Sequence, residues 1–120
     1  MADSYFIEHK GKKIYYLDYA NASVESLRVA VPKAKEEISQ HPENSILTLT
    51  NGEGVSVTPE ISNLMKDLAR SNKPYVKAGA VIGVSGLKKI TFNAVLIFTG
   101  RKNLHVFSGK DEALEWLVGQ

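Results

Sequence analysis

The chain has no cysteine, which removes disulfide staples, thiolate nucleophiles and cysteine-type zinc sites and fits a reducing compartment. It also has no apolar run approaching bilayer-spanning length. The first strand is expected to begin by about residue Ser4, leaving no room for a charged-then-apolar leader, so cytoplasmic residence is the expectation. Histidine is scarce: His9, His41 and His105 are the three in the sequence, and none has a partner four residues away. A metal centre needs several converging ligands, so no metal is expected. Phosphate-cradling signatures are missing too. Gly79, Gly83 and Gly86 are not spaced as G-x-G-x-x-G, and no Gly-Lys-Ser/Thr follows them. In Gly83-Val84-Ser85-Gly86 the second glycine comes too early for a G-x-S-x-G nucleophile elbow. No local motif assembles a serine, a histidine and an acid. Neither a cofactor nor catalysis draws support from the residues.

What is present describes one globular domain, residues 1–120. Of its 120 residues 43% are hydrophobic and 23% charged, a composition outside the disordered class. A chain of this size buries about two thirds of the surface its unfolded form exposes. The net charge of +2 is too small to point to nucleic acid, but it is unevenly spread: residues 66–102 carry eight Lys or Arg and one acid, +7, leaving −5 for the rest.

Tyr5-Phe6-Ile7 and Ile14-Tyr15-Tyr16-Leu17 bracket Lys10-Gly11 and predict an antiparallel hairpin. After Ser23, the residues Val24, Leu27, Val31, Ala34 and Ile38 recur at helical spacing, and Pro32 predicts a kink or break near Val31. Ile46 to Leu49 reads as a strand ended by Asn51-Gly52-Glu53-Gly54. The next helix has Thr58 as N-cap, Pro59 at its first position, Glu60 in its first turn, and Ile61, Leu64, Met65 and Leu68 on one face. Val76 to Val84 is small and apolar, as in a central strand covered on both faces. Residues 87–99 have strand propensity, but their length and the closing Gly100 favour a helix. Leu104 to Phe107 is a last strand. Ser108, with Asp111 three residues on, is expected to cap a helix that turns Ala113, Leu114 and Leu117 inward. The order is β-β-α-β-α-β-α-β-α, an α/β domain with a mainly parallel sheet, an N-terminal antiparallel hairpin and packed helices.

With this order, with Lys73-Pro74-Tyr75-Val76-Lys77-Ala78, with Ala80 through Ile90 (Ala80-Val81-Ile82-Gly83-Val84-Ser85-Gly86-Leu87-Lys88-Lys89-Ile90), and with Glu112-Ala113-Leu114-Glu115-Trp116-Leu117, nearly the whole chain resembles the STAS-like superfamily. That group includes anti-sigma factor antagonists and is related in fold to CRAL-TRIO lipid-transfer domains; the likeness is greatest to bacterial STAS-like proteins. It implies a single-domain STAS-like fold and a regulatory module that acts through protein contacts. In the antagonist branch a serine at the start of the second main helix, in an Asp-Ser-Ser/Thr-Gly motif, is phosphorylated. Val55-Ser56-Val57-Thr58-Pro59 stands there in this chain without the motif's acid and glycine, leaving Ser56 and Thr58 as phosphoacceptors by location alone and Thr58 as an N-cap in the plainer reading.

Two surfaces stand out. The run Gly83 to Lys89 reads as a glycine turn opening a helix, with Lys88 and Lys89 in its first turn, where the macrodipole disfavours cations by roughly 0.3 to 1 kcal/mol each. The other three expected helix starts carry acids: Glu25, Glu60, and Asp111 with Glu112. An anion held by the free N–H groups, Gly83, Ser85, Gly86 and the two lysines would resolve the conflict, and a small anionic ligand or lipid is the implied partner. In the plainer reading the glycines make the turn and the lysines sit in water. Arg101 and Lys102 suit the far end of the same helix. The second surface is the stripe Phe92, Val95 and Leu96, which is covered by the chain itself or forms a contact with a protein partner or a second copy. Asp18, at the end of its strand, is read as capping nearby backbone.

Overall fold

The computed structural model describes residues 2–84, 93, 100 and 102–120. In it, strand β1 (Asp3–His9) turns back directly into β2 (Lys12–Asp18). Lys10 and Gly11 both have positive φ, 50° and 79°, the two-residue turn whose twist matches the strands it joins. The register runs from His9 opposite Lys12 to Asp3 opposite Asp18. Strand alternation then sends Tyr15 and Leu17 to one face and Ile14 and Tyr16 to the other, and all four are buried.

Strands β3 (Ile46–Asn51), β4 (Val76–Ile82) and β5 (Leu104–Val106) add in parallel, giving the order β1-β2-β3-β4-β5. Helices α1 (Val24–Ser39) and α2 (Pro59–Asn72) pack on one face around Leu27, Val31, Ile38, Ile61 and Leu68. Helix α3 (Lys110–Val118) packs on the other, with Ala113, Leu114 and Leu117 against Ile14, Leu49, Ala80 and Ile82. Both sheet faces are therefore covered, which accounts for the small apolar residues that make up most of β4.

The exception in β4 is Lys77. The register passes from Ile46 opposite Val76 to Leu47 opposite Ala78, leaving Lys77 exposed in a bulge. The Asn103 side-chain amide donates to the carbonyls of Val76 (2.7 Å) and Lys77 (3.2 Å) and satisfies the interrupted ladder. The extra residue also resets the alternation. Beyond it Ala78, Ala80 and Ile82 face α3, while Val81 joins Thr48 and Thr50 beneath α2.

The helix starts follow their capping residues: Ser23 Oγ accepts from Ser26 N and Thr58 Oγ1 from Ile61 N, both at 3.2 Å. Two expectations need correction. Of the kink or break expected near Val31, the break does not occur: helix α1 runs on through Pro32 to Ser39. Pro32 and Arg28 both lie on the exposed side, so the Arg28 carbonyl that loses its N–H partner faces water and the helix continues. Ser108 does not cap α3: the N-cap is Gly109, in extended backbone with no side-chain bond to the helix. Of residues 87–99, Asn93 is described and is helical, and Gly100 beyond it has φ +70°; the rest of that expected helix lies outside the described residues.

Candidate functional site

The C-terminal ends of β2, β3 and β4 meet at one edge of the sheet, the edge outside which open α/β sheets place their ligands. The loop after β3 ties the three together. Tyr19 N donates to Asn51 O at 3.0 Å, Asn21 N to Glu53 O at 2.7 Å and Gly52 N to Ile82 O at 2.9 Å. The side chain of Asn51 accepts from Glu53 N at 3.0 Å, and Asp18 holds Ala20 N at 3.4 Å, the backbone-capping role expected of it. Gly83 sits against this loop with φ +77°, and a Cβ there would fall on the backbone of Glu53, 2.7 Å from its Cα. Only glycine combines that dihedral with that approach.

Below this edge, between α2 and the sheet, lies an open cavity of about 140 Å³. Leu17, Val76, Val81 and Leu104 form its floor, Ile61, Met65, Leu68 and Ala69 its roof, and Val55, Ser56 and Val57 line it from the loop before α2. Among the described residues no charged side chain lines it. Two of its lining residues carry polar atoms that are fully buried and have no hydrogen-bond partner among the described residues: the hydroxyl of Tyr19 and Oδ1 of Asn72. Tyr19 is 1% exposed and Asn72 6%. Burial first, and the neighbouring Tyr15 second, push the Tyr19 hydroxyl well above the ordinary tyrosine range, so it is a neutral donor at physiological pH. Tyr15 is also pushed up, to about 12, chiefly by burial. Unlike Tyr19 it is bonded, donating to Glu37 Oε2 at 3.1 Å with the Ser4 hydroxyl 2.8 Å away on its other side.

Of the residues singled out in the sequence, Gly83 lies at the edge as a packing glycine beside the acidic Glu53 loop. Ser85, Gly86, Lys88 and Lys89, and the stripe Phe92, Val95 and Leu96, lie outside the described residues. Ser56 is exposed at the cavity mouth, and the Thr58 hydroxyl is engaged as the α2 cap. The histidines are apart. His9 reaches Glu115 at 2.8 Å, His105 packs on Trp116 with ring centroids 4.9 Å apart, and His41 packs on Phe6 at 5.4 Å. Among the described residues no three or more His, Asp or Glu converge to hold a metal, and no helix is long and apolar enough to cross a membrane. Tyr19 and Asn72 were not anticipated. Asn72 had a readable signal, because it continues the Ile61, Leu64/Met65, Leu68 series at core spacing and puts an amide where that stripe calls for an apolar side chain.

No protein-family model matches the sequence, and no curated protein does. Solved structures do match in shape. A protein of the DUF3478 family with a SpoIIAA-like fold from Shewanella loihica PV-4 superposes with a TM-score of 0.73 at 16% identity, covering 97% of this chain and 93% of that one. An anti-sigma-factor antagonist (STAS) domain protein from Planctomyces limnophilus does so with a TM-score of 0.67 at 15% identity, covering 98% and 99%.

Proposed function

Proceeding from a STAS-like fold, we propose that this protein is a non-catalytic regulatory domain that works in the cytoplasm by presenting the entrance of α2 to a protein partner. The observation that carries this reading is the strip Ser56-Val57-Thr58: all three residues are exposed, and Val57 is an apolar side chain left 49% accessible on a rim held by the bonds between the loops after β2 and β3. The similarity to an anti-sigma-factor antagonist domain protein supports it. A phosphate on Ser56 would lie close to the positive end of the α2 dipole, where added negative charge is favourable. The sequence-based readings extend the proposal. Phe92, Val95 and Leu96 supply a second contact face, and Ser85, Gly86, Lys88 and Lys89 an anion-binding turn.

Site-specific photocrosslinking tests it. With p-benzoylphenylalanine at position 57, cells that produce the protein naturally are expected to yield a discrete protein adduct. The same group at Val29, which is 74% exposed on α1, is expected to yield none. No adduct at 57, or the same adduct from both positions, would overturn the reading.

A further inference from the structure

Strand β1 forms one edge of the sheet. A two-residue turn closes on a hydrogen-bonded pair, here His9 with Lys12, and bonded pairs alternate from there, so Asp3, Tyr5, Ile7 and His9 exchange bonds with β2. Ser4, Phe6 and Glu8 therefore point their N–H and C=O groups away from the sheet. Ser4 N agrees: its hydrogen bond, 2.8 Å, goes to the side chain of Asp3. Among the described residues no backbone group bonds Phe6 or Glu8 on that side. Natural sheets blunt open edges with short strands, charges, proline or bulges. The opposite edge does so, because β5 is three residues long. β1 is seven residues long, pairs with β2 without a bulge, and keeps its charges to its ends, leaving Tyr5-Phe6-Ile7 uncharged at the centre. Tyr5 is 43% exposed and Phe6 38%, because α3 packs chiefly over β4 and β3 and leaves the hairpin's outer strand uncovered.

We propose that β1 pairs antiparallel with β1 of a second copy of this chain, joining two sheets into one across a two-fold axis at Phe6. The strand's own pattern selects this occupant. With the axis at Phe6, that residue faces its own copy, Tyr5 faces Ile7, Ser4 faces Glu8 and Asp3 faces His9. Apolar side chains meet apolar ones, one acid meets a hydroxyl and the other an imidazole, and no like charges are opposed. Sliding the register by two residues shortens the pairing to residues 5–9 or 3–7 and sets Glu8 against Phe6 or Asp3 against Ile7. An axis at Glu8 opposes two carboxylates, which is destabilising. In the Phe6 register each Phe6 N–H donates to the second copy's Phe6 carbonyl and each Glu8 N–H to the second copy's Ser4 carbonyl. Asp3 keeps its hold on Ser4 N throughout. The pairing consumes both open edges and closes at a dimer. One strand from each copy makes a small contact, so the dimer is expected to dissociate on dilution. The inference does not rest on the α2 entrance binding a protein.

The test is analytical ultracentrifugation of the purified protein at loading concentrations from about 10 µM to about 1 mM, the range in which weak interfaces assemble. The average mass is expected to rise with concentration from that of the monomer towards twice that value. Phe6→Lys sets two ammonium groups opposite each other, and Glu8→Pro removes an N–H that faces away from β2. Each is expected to weaken the dimer by about tenfold or more, while Val29→Lys on the exposed side of α1 leaves it unchanged. Circular dichroism confirms that each variant is folded. Amide hydrogen exchange at Phe6 and Glu8 in the unaltered protein is expected to slow as concentration rises. A monomer at every concentration would overturn the proposal, including one whose edge takes up a foreign peptide. So would exchange at Phe6 and Glu8 that is independent of concentration. A dimer untouched by both β1 variants would place the contact on another face, such as Phe92, Val95 and Leu96, and would overturn it too.

Discussion

Single residues hold the working edge of the sheet in place. Gly83 is the clearest case, since its left-handed backbone and the Glu53 backbone beside it leave no room for a side chain. Gly83→Ala is expected to lose about 1–3 kcal/mol in a denaturant titration, from dihedral strain and displacement of the Glu53 loop; a loss under about 0.5 kcal/mol would show that the loop yields freely. Glycine at this position was readable as a turn, but its cause was not. The sequence lets Gly83 be read as part of an anion cradle, whereas the contact that fixes it comes from a loop thirty residues earlier in the chain. Asn72 shows the reverse: its misfit on an apolar stripe is visible in the spacing, and that its amide oxygen has no partner among the described residues emerges only from the structure.

At the scale of elements, local signals carried most of the reading. Thr58-Pro59 set the start of α2, Lys10-Gly11 set the hairpin, and the small apolar run of β4 announced burial on both faces. The signals failed where solvent or a neighbour decided the outcome. Pro32 is tolerated because its orphaned carbonyl faces water, and Ser108 is passed over because the helix begins one residue later, from Gly109. The β4 bulge, which decides which side chains lie under α2, depends on Asn103 from a distant segment and left no local trace.

Elements are also joined by charge, and this gives a pH dependence. Glu115 on α3 takes Lys10 at 2.6 Å and His9 at 2.8 Å from the hairpin. Its carboxyl is held below the ordinary value of 4.5 first by the Lys10 hydrogen bond and then by that from His9. A depressed acid contributes stability that is present above its unfolded pKa and is lost as pH falls through the folded value. The hairpin-to-α3 tie is therefore expected to loosen below about pH 4.5 and to be unaffected between pH 5 and 6 by Glu115 itself. Carbon-detected NMR of the Glu115 carboxyl should titrate below the ordinary range and return towards it in Lys10→Ala; an identical midpoint in both proteins would show that the ion pair does not form in solution. The pair is exposed, so it directs orientation more than it adds stability.

Across the whole molecule, the two faces of the sheet are finished differently. The α3 face is closed by a continuous apolar cluster, while the α1/α2 face contains a cavity with unpaired polar groups at Tyr19 and Asn72. Local stability given up in this way is characteristic of positions kept for function. The most direct measurement is the unfolding free energy of Tyr19→Phe. Because the hydroxyl has no partner among the described residues, its removal is expected to leave stability unchanged or raise it by up to about 1 kcal/mol. A loss of about 1 kcal/mol or more would mean that the hydroxyl is bonded in the native protein, and would contradict the account.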